Sequence, residues 1–174
     1  MSIAADAQAR PPGRWLQTLL IVVAASEALG ALSDIPGVIV VFTDDFPTAL
    51  LHFAQALLSV KYALAPFVAV PAFIFAVKGR LRAATLELAA LLLPTWLLDD
   101  TTSLAIHGPE LSASFGGTIV FAHHFVFPVL ALAGGGLALN DRRPGLAALL
   151  VTLPTMFNWV GFVIFAIAIL INGF

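Results

Sequence analysis

Apolar residues fall into five long runs, and the polar segments between them alternate in sign. The first run goes from Trp15 to about Ser33 and is expected to continue past Pro36-Gly37 toward Phe42, with a bend there. Proline withholds a helix N–H, which is the reason for the bend. The Thr43-Asp44-Asp45 turn closes it. The second run, Pro47 to Val77, is longer than a bilayer requires, so it should tilt or protrude, with kinks at Pro66 and Pro71. The third runs from about Ala83 to Leu98 and stops at Asp99-Asp100. After a polar stretch through His107, Pro109 and Glu110, a fourth run covers Gly116 to Leu139 and a fifth covers about Leu146 to Ile171.

A helix needs about 20 apolar residues to cross the hydrocarbon core. The predicted fold is therefore all-α: a polytopic integral membrane protein with a single membrane-embedded domain over residues 1–174. Its five transmembrane helices are expected at about 15–35, 47–77, 83–98, 116–139 and 146–171. A four-helix alternative lays the short third run on the membrane surface. Composition agrees with either version, at 60% hydrophobic and 10% charged, against about 45–50% and 25% in soluble domains. Cysteine is absent, so disulfides, thiolate metal sites and thiol catalysis are excluded. No repeat of about 20–50 residues is evident.

Charge sets the orientation. Arg10 and Arg14, the Lys78-Arg80-Arg82 turn and Arg142-Arg143 alternate with the acidic segments, which predicts an inside amino terminus and an outside carboxyl terminus. The setting expected is a plasma (inner) membrane of bacterial type. Lys61, inside the second run, is the one basic residue outside this scheme. Arg10 and Arg14 before an apolar run that ends in small residues also resemble a secretory signal, but the first run is read here as a retained helix. Gly134-Gly135-Gly136, with Gly30 and Ala31, predicts close helix approach. It carries no phosphate-loop meaning, since no strand precedes it.

An ionisable group in hydrocarbon costs about 2.5–3.5 kcal/mol on insertion scales, so each should face protein, water or a partner. Helical phase places Glu27, Gly30, Ala31 and Asp34 on one stripe of the first run. His52, Gln55, Ala56 and Ser59 share a stripe on the second, His124 shares one with Pro128 and Ala131 on the fourth, and Thr155 and Asn158 cluster on the fifth. His123 and His124 point about 100° apart, so one of them enters a given site. Lys61 lies about half a turn from His52 in phase; its expected partner is Glu27, and snorkelling is the bland alternative. Glu87 alone belongs to the inner half.

Depth gathers these groups on the outer side. The expected function is binding or conduction of a small ligand, cation or protons through an outward polar pocket between the first, second, fourth and fifth helices. Glu27 and His124 lead, His52, Asp34, Asn158 and Lys61 follow, and Asp99-Asp100 stand at the mouth. Aromatic walls are available from Phe127, Phe157 and Trp159. A dependence on pH between about 5 and 8 is expected if histidine takes part.

Two other classes compete. Haem b or a divalent metal held by His52 with His123 or His124 would make a redox or quinol-linked subunit. A lipid- or isoprenoid-modifying enzyme would draw on Asp44-Asp45 or Asp99-Asp100, yet both pairs lie at helix ends and serine-hydrolase, zincin and dinucleotide signatures are absent. No catalytic residue is assigned. An accessory subunit packed against other membrane chains, or a homo-oligomer, would use the small-residue stripes. The partner common to every reading is the lipid bilayer. Nucleic acid is excluded because the basic residues form no face.

Overall fold

The structure, a computed structural model, describes residues 13–43, 48–107 and 121–172. Among them there is no strand. Helix α1 (Arg14–Ser33) is followed by the short α2 (Gly37–Thr43), then α3 (Ala49–Val77) and α4 (Leu81–His107). A wide-turned π segment (Ala122–Val126) leads directly into α5 (Phe127–Leu139), and α6 (Pro144–Asn172) ends the described chain. Five helical stretches are long and apolar enough to cross a membrane: 14–33, 51–77, 81–99, 122–139 and 144–171. The start expected for the fourth run at Gly116 lies outside the described residues, as do Arg10, Asp44, Asp45, Pro109 and Glu110.

Two boundaries differ from the hydropathy reading. The bend expected at Pro36-Gly37 is a break: Asp34 to Pro36 form a turn, closed by the Gly37 N–H donating to the Asp34 carbonyl at 2.9 Å. Here the Gly37 position approaches Tyr62 of α3 so closely that a Cβ would stand 2.7 Å from the ring. The third helix does not stop at Leu98 but continues through Asp99 and Asp100 to His107. Hydropathy ends where carboxyl groups begin, whereas the backbone continues because Asp99 has an ionic partner across the bundle.

The two basic turns are built alike. After α3 the Arg80 N–H donates to the Phe75 carbonyl and the Gly79 N–H to Ala76, with Gly79 at φ +70°. After α5 the Arg142 N–H donates to Leu137 and the Asp141 N–H to Ala138, with Asp141 at φ +54°. Both are the paired closure that satisfies the last carbonyls of a helix and demands a left-handed residue. Side chains reinforce this end of the bundle. Gln17 Nε2 donates to the Ala76 carbonyl at 3.2 Å, and an Arg82 guanidinium nitrogen donates to the Leu139 carbonyl at 2.7 Å.

Helix α4 is the hub, in contact with α1, α3, α5 and α6. The main core lies toward the basic turns, where Leu16, Leu20 and Val23 of α1 meet Ala76, Leu88 and Val151. Helices α5 and α6 approach closely at Gly134, where an added Cβ would lie 2.5 Å from Val151 Cγ2 and 2.8 Å from the Ala147 carbonyl. Gly30 and Gly136 do not share this role, since nothing lies within 4 Å of a Cβ at either. Away from the basic turns the small-residue core gives way to polar side chains.

Candidate functional site: a polar cavity among all five long helices

Beyond the main core, from the middle of the bundle toward the side remote from the basic turns, a cavity of about 270 Å³ is lined by Glu27, Lys61, Asp99, His123 and Asn158. Leu92, Thr95 and Trp96 of α4 and Phe127 of α5 complete most of its wall. Every one of the five long helical stretches contributes, including the third, which the sequence reading left out of the pocket wall.

Each polar group is held by a different device. Glu27 comes from the middle of α1, where Thr155 Oγ1 donates to its Oε1 at 2.5 Å. Thr155 is buried and follows Pro154, which also lines the cavity. One residue before Glu27, Ser26 Oγ accepts from Trp159 Nε1 at 3.1 Å, so α1 and α6 are pinned together at two successive residues. Lys61 Nζ donates to both oxygens of Asp99, at 2.8 and 2.7 Å. The partner expected from depth was Glu27; the unbroken course of α4 brings Asp99 to Lys61 instead.

The histidine in the cavity is His123. Its Nε2 lies 3.0 Å from Asn158 Oδ1, within hydrogen-bonding distance. Its ring meets Phe127 edge-on at 4.8 Å between centroids, and Phe127 meets Phe157 at 5.4 Å.

The π segment explains why His123 and not His124 is there. Within it the Phe127 N–H donates to the carbonyl of Ala122, five residues back. One extra residue in the turn rotates everything before it by about 100° at 3.6 residues per turn. Uniform α spacing pairs His124 with Pro128, whereas the widened turn pairs His123 with it, and His123 and Pro128 both line the cavity. Pro128 also has no N–H to return to the carbonyl four residues behind it, that of His124. Trp96 Nε1 donates to that carbonyl at 3.0 Å.

Of the other residues singled out from sequence, Asp34 lies exposed in the turn between α1 and α2, and His52 is exposed near the start of α3. Neither they nor the His124 side chain lines the cavity. Glu27, Lys61 and Asn158 do, together with His123, which was read only as a metal ligand. Trp96 was missed. Its signal was available, as an indole on the third run with an N–H that has to find an acceptor once buried. No group of three or more His, Asp or Glu side chains able to share a metal ion occurs among the described residues, and His52 does not join His123 in the cavity. The haem and metal readings therefore gain no geometric support.

What the arrangement can do follows from its charges and walls. Asp99 is matched by Lys61, while Glu27 has a hydroxyl as its only hydrogen-bond partner among the described residues. Two carboxyls thus share the space with one ammonium, and Trp96 and Phe127 line it as well. No family model, curated protein or solved structure matches this chain.

Proposed function

We propose that this chain is a multi-pass protein of a plasma-type membrane that binds a small cation in the cavity beside Glu27. The observation that carries the reading is the charge imbalance: Glu27 and Asp99 face a single Lys61 in a space of about 270 Å³. An unmatched carboxyl is costly away from water and favours a positive guest. Trp96 and Phe127 also line the space, and aromatic rings are the groups that attract an organic ammonium. The size is near the lower end of ligand pockets, about 300–1,000 Å³, so the guest is small.

Orientation supports an outward opening. Glu27, Lys61, Asp99 and His123 lie past the midpoints of their helical stretches, on the side away from the Lys78-Arg80-Arg82 and Arg142-Arg143 turns, and basic turns mark the cytoplasmic face. The large outward-facing apolar side chains, among them Phe67, Phe162 and Leu170, suit hydrocarbon and would aggregate in water.

The test uses the cavity's own tryptophan. In a Trp15→Phe/Trp159→Phe background, Trp96 is the sole tryptophan, and tetramethylammonium added to the reconstituted protein should change its emission saturably. A linear response, equal to that of free tryptophan, contradicts the proposal.

A further inference from the structure

A second cavity shares a wall with the first. It is an apolar groove of about 200 Å³ between α3 and α4, lined by Leu64, Phe67 and Val68 on one helix and by Ala90, Pro94 and Leu98 on the other. Lys61 and Thr95 line both spaces. The groove opens on the bundle's outer surface, where Leu64 and Phe67 are exposed. A polar chamber and a lipid-facing apolar slot therefore meet at one partition, made by two side chains.

We infer that the ligand of the Glu27 cavity is an amphiphile: a small ammonium head in the polar chamber and a single hydrocarbon chain in the groove between α3 and α4. The inference rests on the cation reading above and narrows it from cations in general to chain-bearing ones. Charge and lining both select this occupant. Beside the Lys61–Asp99 pair the chamber offers Glu27 and two aromatic side chains to a cation, while the groove offers a chain nothing polar beyond Lys61 and Thr95. An anionic head would meet the two carboxyls, and a plain inorganic cation would leave the groove unused. Lys61 does not oppose the head, because Asp99 holds its ammonium at 2.7 Å. Entry would be lateral, from the membrane, with the chain remaining in apolar surroundings throughout.

The experiment compares two probes on the full chain in discs of a neutral glycolipid, whose head carries no amine. The probes are tetramethylammonium, which is head alone, and decyltrimethylammonium, which is head plus chain. Ala90→Phe and Leu64→Trp fill the groove from either helix. Both positions are exposed, so each variant can fold, and one suffices if the other fails. Partition of the probe into lipid is the same for every variant and cancels.

The groove-filling variants should weaken decyltrimethylammonium by about tenfold or more, since a filled slot excludes the chain, and leave tetramethylammonium within about twofold. Glu27→Gln should weaken both. If filling the groove leaves both probes unchanged while Glu27→Gln weakens them, the amphiphile inference is overturned and the cation reading stands. If neither probe binds the unaltered protein saturably, both are overturned.

Discussion

Trp96 Nε1 donates, at 3.0 Å, to the carbonyl of His124, four residues before Pro128, whose nitrogen carries no hydrogen to donate. Proline removes a bond from the helix, and an indole from the neighbouring helix replaces it. The wide turn that places His123 in the cavity is thus fixed from α4. This makes Trp96 and Pro128 energetically coupled although they lie on different helices. Trp96→Phe should cost about 1 kcal/mol, the usual net loss for one hydrogen bond. In a Pro128→Ala background, where the backbone at that position regains an N–H for the same carbonyl, the change should cost less than half as much. Thermal unfolding of the four proteins in detergent gives the comparison, and equal costs in the two backgrounds would sink the coupling.

The Lys61–Asp99 pair joins α3 to α4 beside the site, with both side chains only partly accessible, at 17% and 40%. Removing one partner strands the other. Lys61→Met and Asp99→Leu should each destabilise the protein, and the double variant should recover much of the loss. A coupling of about 0.5–3 kcal/mol is expected, the range of residues in direct contact. Additive losses would show that the two groups act separately.

Thr155→Val keeps the shape of the side chain and removes the hydroxyl that donates to Glu27. One hydrogen bond is worth about 0.5–1.5 kcal/mol net, so a loss in that range is expected. Glu27→Gln in the Thr155→Val background should then cost little further stability. A full additional loss would place the hold on Glu27 elsewhere.

The first and last glycines of the Gly134-Gly135-Gly136 run give a packing test with an internal control. A Cβ at Gly134 would stand 2.5 Å from Val151 and 2.8 Å from the Ala147 carbonyl, whereas one at Gly136 would meet nothing within 4 Å. Gly134→Ala should destabilise by about 1–3 kcal/mol, as overpacking does. Gly136→Ala should be neutral or stabilising by up to about 1 kcal/mol, through the better helix propensity of alanine. Similar melting temperatures for the two variants would contradict the close α5–α6 approach.

Much of the architecture is readable from the chain, because spanning demands long apolar runs and five helices of that kind are present. Glu27, Lys61 and Asn158 were singled out by depth and phase, and they line one cavity. The remainder was hidden for local reasons. Asp99 reads as the end of a helix by composition, but a lysine on α3 satisfies it and the helix runs on. His123 and His124 cannot be told apart by counting at 3.6 residues per turn when the turn between them and Pro128 is wider. Trp96 acts through its N–H on a backbone carbonyl, a contact that no pattern of side-chain types announces.

The claim that Glu27 is the anchor for a cation is tested most directly by calorimetric titration of tetramethylammonium into the reconstituted protein, its Glu27→Gln variant and an Asp34→Asn variant. Asp34 is exposed and lies outside the cavity, so it controls for general surface charge. Binding to the unaltered protein should be saturable and weakened about tenfold or more by Glu27→Gln, a change of about 1.4 kcal/mol or more. Asp34→Asn should leave it unchanged. Equal affinity in the unaltered protein and Glu27→Gln, or an equal loss in both variants, would contradict the proposed site.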